Sequence, residues 1–153
     1  MTQEEVAAQI EIRDLIARYN HNGDAEDAEG YAGVFALDGV IEVFGHRFVG
    51  REAIHAWKAG RSTGGAPATG PLFRRHHVTT TRITLDAPDR ASGLVYWIVI
   101  TQIGVDHTGF YTDRYVRVDG EWLIAHRQVD FMWRSPGSDV PADAVPPQFR
   151  PPA

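Results

Sequence analysis

Apolar positions in the first part of the chain recur at helical spacing. Ile12, Leu15, Ile16 and Tyr19 fall at i, i+3, i+4 and i+7 and lay one apolar stripe along a helix. Thr2 and Glu5 have the spacing of a capping box, so the helix is predicted to start there. Asn20, His21 and Asn22 form its polar end, and Gly23 is the predicted stop, since glycine enters the left-handed region at little cost. A second stripe, Ala28, Tyr31, Ala32 and Phe35, predicts another helix directly after Asp24, running to about Leu37 and broken by Asp38-Gly39. The period then changes. Residues 40–44 read as a strand, Gly45-His46 as a turn and residues 47–49 as a short partner strand. Residues 50–59, with Ile54 and Trp57, predict a third, short helix.

Residues 60–71 are rich in Gly, Ser, Thr, Ala and Pro and read as a long loop, the kind that serves as a lid or binding loop or is simply mobile. Strand signals follow over residues 74–85, 92–103, 109–118 and 121–131, separated by turn residues, with Asp119-Gly120 the strongest hairpin signal. Three helices ahead of four long antiparallel strands predict an α+β domain, a curved sheet wrapped over helices. It is expected to span residues 1–134. Residues 135–153 hold six prolines and are expected to be an extended arm or disordered, neither sheet nor helix.

A length of 153 residues suits one domain with a sizeable core. The absence of cysteine excludes disulfides, thiolate metal sites and a cysteine nucleophile, and fits a reducing cytoplasm. The net charge of −5, with a single lysine at Lys58 and no basic block, argues against a nucleic-acid partner. No apolar run is long enough for a membrane span, and the acidic N-terminal residues lack a signal pattern. The expectation is a cytoplasmic protein.

Two positions carry candidate chemistry. Asp24 sits at a helix-to-helix corner, and His76 sits early in a strand on which His76, Val78 and Thr80 share one face. A carboxylate bonded to one imidazole nitrogen fixes the tautomer and leaves the other nitrogen as a base. The structural alternatives are that Asp24 caps the second helix and that His76 is merely packed. On the last strand Arg127 shares a face with Leu123, Ala125, Val129 and Phe131; a lone arginine there either pairs with a buried acid or binds an anionic leaving group. Asp113 and Arg114 on the preceding strand are candidate cross-strand partners. The seven histidines show no metal-ligand spacing and no phosphate loop is present, so neither metal nor cofactor is expected. The substrate is expected to be a small hydrophobic molecule, in some cases cyclic, in a mostly apolar pocket. Tyr19, Phe35, Val43, Trp57, Val78, Tyr111 and Phe131 are its expected lining, and Tyr19 or Tyr111 could also support a departing group. Apolar positions on the outer sheet face predict a homo-oligomer, dimer or trimer.

From about Glu5 to Trp133 the chain resembles the SnoaL-like branch of the NTF2-like superfamily. The resemblance rests on Ile12-Arg13-Asp14-Leu15 with Asp24, on residues 31–38, on Arg75-His76-His77-Val78-Thr79 with Thr81-Arg82-Ile83, on residues 111–115, and on Val118-Asp119-Gly120-Glu121-Trp122 with residues 124–127. It implies a cone-shaped curved antiparallel sheet around N-terminal helices, the cystatin-like barrel. Two enzyme families on that scaffold look closest. The hexachlorocyclohexane dehydrochlorinase type implies a catalytic Asp at Asp24, a catalytic His at His76 and a supporting Arg at Arg127, with Thr80 replacing that family's Asn. Scytalone dehydratase also matches Asp24 and His76, with Thr81-Arg82; its two tyrosines and second histidine fall here at Gly23, Val43 or Phe44, and Thr101. The resemblance implies a cofactor-independent lyase or isomerase with an Asp–His general-base dyad. Related folds also imply two other readings: a non-catalytic binding or small-subunit assembly module, and a polyketide-cyclase-like aldol catalyst using the same dyad.

Overall fold

A computed structural model describes residues 1–63 and 71–150. Helix α1 (Gln3–Asp24) begins with the predicted capping box: the Thr2 hydroxyl accepts from the Glu5 N–H at 3.1 Å, and the Glu5 carboxylate accepts from the Thr2 N–H at 2.7 Å. Its stripe of Ile12, Leu15, Ile16 and Tyr19 is buried. The helix does not stop at Gly23. It takes in Asp24, and the chain reverses at Glu26, which adopts φ 58°. Helix α2 (Ala28–Gly33) is capped by Asp27, whose carboxylate accepts from the Gly30 N–H at 2.9 Å.

Helix α2 ends earlier than its stripe predicts. Phe35 instead opens strand β1 (Phe35–Val43), where it pairs with Ile124. Burial in the sheet ladder overrides a helical period that Phe35 happens to satisfy. Asp38-Gly39 is therefore not a helix break; it lies where the register of β1 shifts between Phe35 and Val40. The turn Phe44-Gly45, with φ 53° and 74°, leads to β2 (His46–Val49). Helix α3 (Arg51–Thr63) follows and buries Ile54. It outruns its predicted end at residue 59, and most of the predicted loop, residues 64–70, lies outside the described residues.

Strands β3 (Arg75–Ala87), β4 (Arg90–Thr101), β5 (Gly104–Val118) and β6 (Glu121–Arg134) form an antiparallel meander. The hairpin at Asp119-Gly120 has φ 50° and 87°, as its sequence predicts. The six strands lie in the order β2-β1-β6-β5-β4-β3, so the sheet is curved but not closed. One pairing departs from the antiparallel expectation. β1 runs parallel to β6, because the chain crosses by way of β2 and α3 to the far edge before the meander returns to β1. Curvature comes from bulges, among them those at Val78/Thr81, Val99/Ile100 and Arg114/Tyr115. The last of these also switches the phase of β6. Trp122 and Ile124 are buried ahead of it and Arg127 and Phe131 after it, so no single alternation describes the strand. Gly109 permits the close approach of β5 to β6, since a Cβ there would stand 2.0 Å from the Asp130 carbonyl oxygen.

The proline-rich segment is not a free arm. It forms two 3₁₀ turns, Ala142–Ala144 and Pro147–Phe149, and buries Val140 and Val145. The Ser135 N–H donates to the Asp106 carbonyl and Arg134 to that of Ser138, both at 2.7 Å. Prolines exclude regular sheet, yet apolar residues between them still gain by docking. Among the described residues no helix is long and apolar enough to cross a membrane.

Candidate active site

The sheet, α1, α3 and the C-terminal segment enclose a cavity of about 500 Å³. At its wall the last residue of α1 meets the second residue of β3. Asp24 Oδ1 lies 2.6 Å from His76 Nδ1, and Asp24 Oδ2 accepts from the His76 backbone N–H at 2.9 Å. One carboxylate thus holds the ring and the strand that carries it. Asp24 is 8% exposed and His76 24% exposed at the side chain. Burial alone would raise the Asp24 carboxyl, but the bonds from His76 and the attraction of its ring hold it below the ordinary value. An ionised Asp24 requires the proton on Nδ1, which leaves the lone pair on Nε2. Asp24 caps nothing, since Asp27 performs that task for α2.

Beneath this pair lies a polar aromatic floor. The Tyr19 and Tyr31 hydroxyls are 2.6 Å apart, and the Tyr111 hydroxyl donates to Asn20 Oδ1 at 2.9 Å. Burial raises all three phenols above their ordinary value, so they remain O–H donors.

A second Asp–His pair faces the cavity. His107 Nδ1 lies 2.7 Å from Asp106 Oδ1, and the Asp106 carboxylate also accepts from Thr101 Oγ1 at 3.1 Å and from the Ser138 hydroxyl. Burial outweighs the pull of Asp106 and holds His107 below its ordinary value, so its ring is neutral at neutral pH. The His107 ring packs between Trp97 and Phe131, at centroid distances of 5.6 and 5.7 Å. Lys58, Arg61, Arg74, His46 and Asp139 complete the polar part of the lining. Among the described residues no three His, Asp or Glu side chains converge as a metal-ligand set.

The model of the SnoaL-like domain family matches residues 4–128. The chain belongs to the SnoaL-like family. No curated protein sequence matches it. Among solved structures, this SnoaL-like domain is similar to a Mycobacterium tuberculosis protein of unknown function carrying an Asp-to-Asn substitution (27% identity, TM-score 0.74, 95% of this chain and 84% of the other). It also resembles a candidate scytalone dehydratase from Novosphingobium aromaticivorans (20%, TM-score 0.75, 88% and 91%). A type 2 hexachlorocyclohexane dehydrochlorinase shares the fold as well (18%, TM-score 0.70, 94% and 97%).

In this SnoaL-like domain the expected site residues separate into two groups. Asp24 and His76 meet, and Tyr19, Val43, Trp57, Tyr111 and Phe131 line the cavity. Three do not. Phe35 is fully buried in the core, because it belongs to β1 rather than to a helix. Val78, 37% exposed, lies along a shallower groove with Arg13, Ile16 and Thr81, where the bulge after it bends β3 away. Arg127 does not reach the cavity. Register sets it opposite Asp113, which accepts from Nε at 2.8 Å and from Nη2 at 2.6 Å, and its guanidinium stacks 4.1 and 4.0 Å from the Tyr19 and Tyr111 ring centroids. Of the two readings open for a lone arginine on an apolar face, the buried pair is the one observed.

His107 and the basic lining are not among the expected site residues, and the pocket is less apolar than the sequence predicts. Adjacent strand residues normally face opposite ways, so Asp106-His107 gives no signal. Here β5 carries one extra residue between the pairs Val99↔His107 and Ile100↔Val105, and that bulge lets both side chains be buried together. Lys58 and Arg61, at i and i+3 on α3, were the signal available for the basic side.

Proposed function

We propose that this domain is a cofactor-independent lyase or isomerase in which His76 Nε2 removes a proton from a carbon beside a leaving group or a carbonyl. Asp24 orients the ring and stabilises the imidazolium that forms. The Tyr19–Tyr31 hydroxyl pair donates to oxygen or halide charge that builds as the carbon–hydrogen bond breaks. Neutral His107, its Nδ1–H directed to Asp106, offers Nε2 as an acceptor for a substrate hydroxyl. Arg127 acts through the tyrosine rings it supports and is a positioning residue. The observation that carries the reading is the two-point grip of Asp24 on His76 at the wall of a cavity large enough for a small cyclic molecule. General-base assistance of this kind is worth about 10²–10⁴-fold. A homo-oligomer belongs to the same reading, with a second copy covering the exposed Leu94 and Tyr96 of β4.

The test is proton exchange. The protein is incubated in D2O with cyclic ketones, β-hydroxy ketones and cyclic halides, and deuterium incorporation or loss of the leaving group is followed by NMR. Exchange by the parent that disappears in His76→Ala and Asp24→Asn, with both variants still folded, supports the dyad. Elimination, isomerisation and aldol closure differ in the product that accumulates. Compounds that bind without exchanging, or exchange that survives His76→Ala, overturn the reading.

A further inference from the structure

The cavity is more basic than its protein. The chain carries net charge −5, yet Lys58, Arg61 and Arg74 all line the cavity, together with His46, His76 and His107. Three of the nearby carboxylates are committed, and Glu26 acts on Lys58. Asp24 and Asp106 hold the two histidines, and Asp139 accepts from Arg74 at 2.8 and 3.1 Å. Arg61 has no ion pair with any described residue; its guanidinium lies 5.3 Å from the Phe44 ring and 5.5 Å from the Trp57 ring. The Lys58 ammonium donates to the Gly23 carbonyl at 3.1 Å and stands 5.3 Å from the Tyr31 ring. Burial, followed by repulsion from Arg61, lowers Lys58 from its ordinary value against the opposing pull of Glu26 and Asp24, and Arg74 adds to the lowering. Lys58 and Arg61, one turn apart on α3, thus repel one another at the cavity wall, and an anion placed between them would relieve that repulsion.

Aromatic groups frame the same end. Phe48 stacks on Trp57 at 4.9 Å and Phe44 on Phe131 at 5.0 Å, so flat apolar faces stand beside the Arg61 fork. A carboxylate matches a planar guanidinium with two parallel bonds, which a neutral amide cannot do. We propose that the cavity takes a monoanionic ring carboxylate, its acid group held by Arg61 and Lys58 and its ring against Phe44, Trp57 and Phe131. This substrate class deepens the proposed base chemistry and rests on it only for the fate of the bound molecule. The cationic end selects, and His76 reacts at a different part of the ring.

Binding is the test, because it needs no turnover. Isothermal titration with trans-cinnamate and cyclohexanecarboxylate, each beside its primary amide, should give about tenfold or greater preference for the acid, a charge-assisted hydrogen bond's share of affinity. That preference should shrink as salt rises from low to high ionic strength. Arg61 is exposed, so Arg61→Gln should fold and lose most of the preference, and Arg61→Glu should reverse it. Equal binding of acid and amide, or a preference that survives Arg61→Glu, overturns the proposal. Deuterium exchange is read separately, so a catalytically silent protein that still prefers acids fails only the base reading, and an active protein indifferent to charge fails only this one.

Discussion

The two Asp–His pairs use the same atoms and differ in how the chain brings them together. Asp24 and His76 come from a helix end and a strand start, and the imidazole remains partly open to the cavity. Asp106 and His107 are neighbours in one strand, forced onto one side by a bulge and shut in by Ser138. Enclosure decides their character. The buried ring is held neutral despite its carboxylate, while the open ring borders the free volume of the cavity.

The sharpest way to break this contrast is His76→Ala. Base-dependent exchange should fall about 10²–10⁴-fold while the thermal midpoint stays near that of the parent. An equal loss from His107→Gln alone would exchange the two roles. The next largest effect concerns the pair beneath the floor. Asp113→Ala leaves Arg127 charged and alone in a site with no solvent access, and urea unfolding should register a loss of roughly 3–5 kcal/mol. Asp24→Asn, at the more open pair, should cost less stability than that.

The acid side of the stability curve distinguishes the histidines further. Folding lowers His107 from its ordinary 6.5, so the unfolded chain takes up that proton first as pH falls. Its contribution is complete above about pH 6.5 and declines below it. Asp24 and Asp106 are also lowered by folding, from 3.8, so their contribution is present above that value and is lost only in stronger acid. Denaturant titrations from pH 8 to 5 should slope downward for the parent and flatten in His107→Gln. The smallest expected effect is that of Ser138→Ala, about 1 kcal/mol, from bonds to Asp106 and to the Val140 N–H. The same variant should raise the His107 titration seen by NMR, by opening the ring to water.

What the sequence made legible was what repeats. The capping box at Thr2, the stripe of α1, the meander and the Asp119-Gly120 hairpin follow from periodicity and turn chemistry. Asp24 and His76 could be named one by one and, through family resemblance, as a pair. What stayed hidden depends on interruptions of the period. The bulges set the side of Val78, unite Asp106 with His107 and split the faces of β6 around Arg127. Phe35 satisfied a helical pattern and a strand position equally, and only the presence of Ile124 as a ladder partner decides between them. The basic lining was hidden for another reason. Lys58 and Arg61 lie on α3 and Arg74 just ahead of β3, and they look like ordinary surface charges until the fold points them at one space.

The docked proline-rich segment separates the scaffold from the chamber it helps to wall. Ser138, Val140 and Pro141 contribute to the second histidine pair and to the cavity lining, yet none of them belongs to a strand. The six ladders are complete without these residues, and the wall is not. Substitutions after Arg134 can therefore reshape the cavity without disturbing a rung of the sheet.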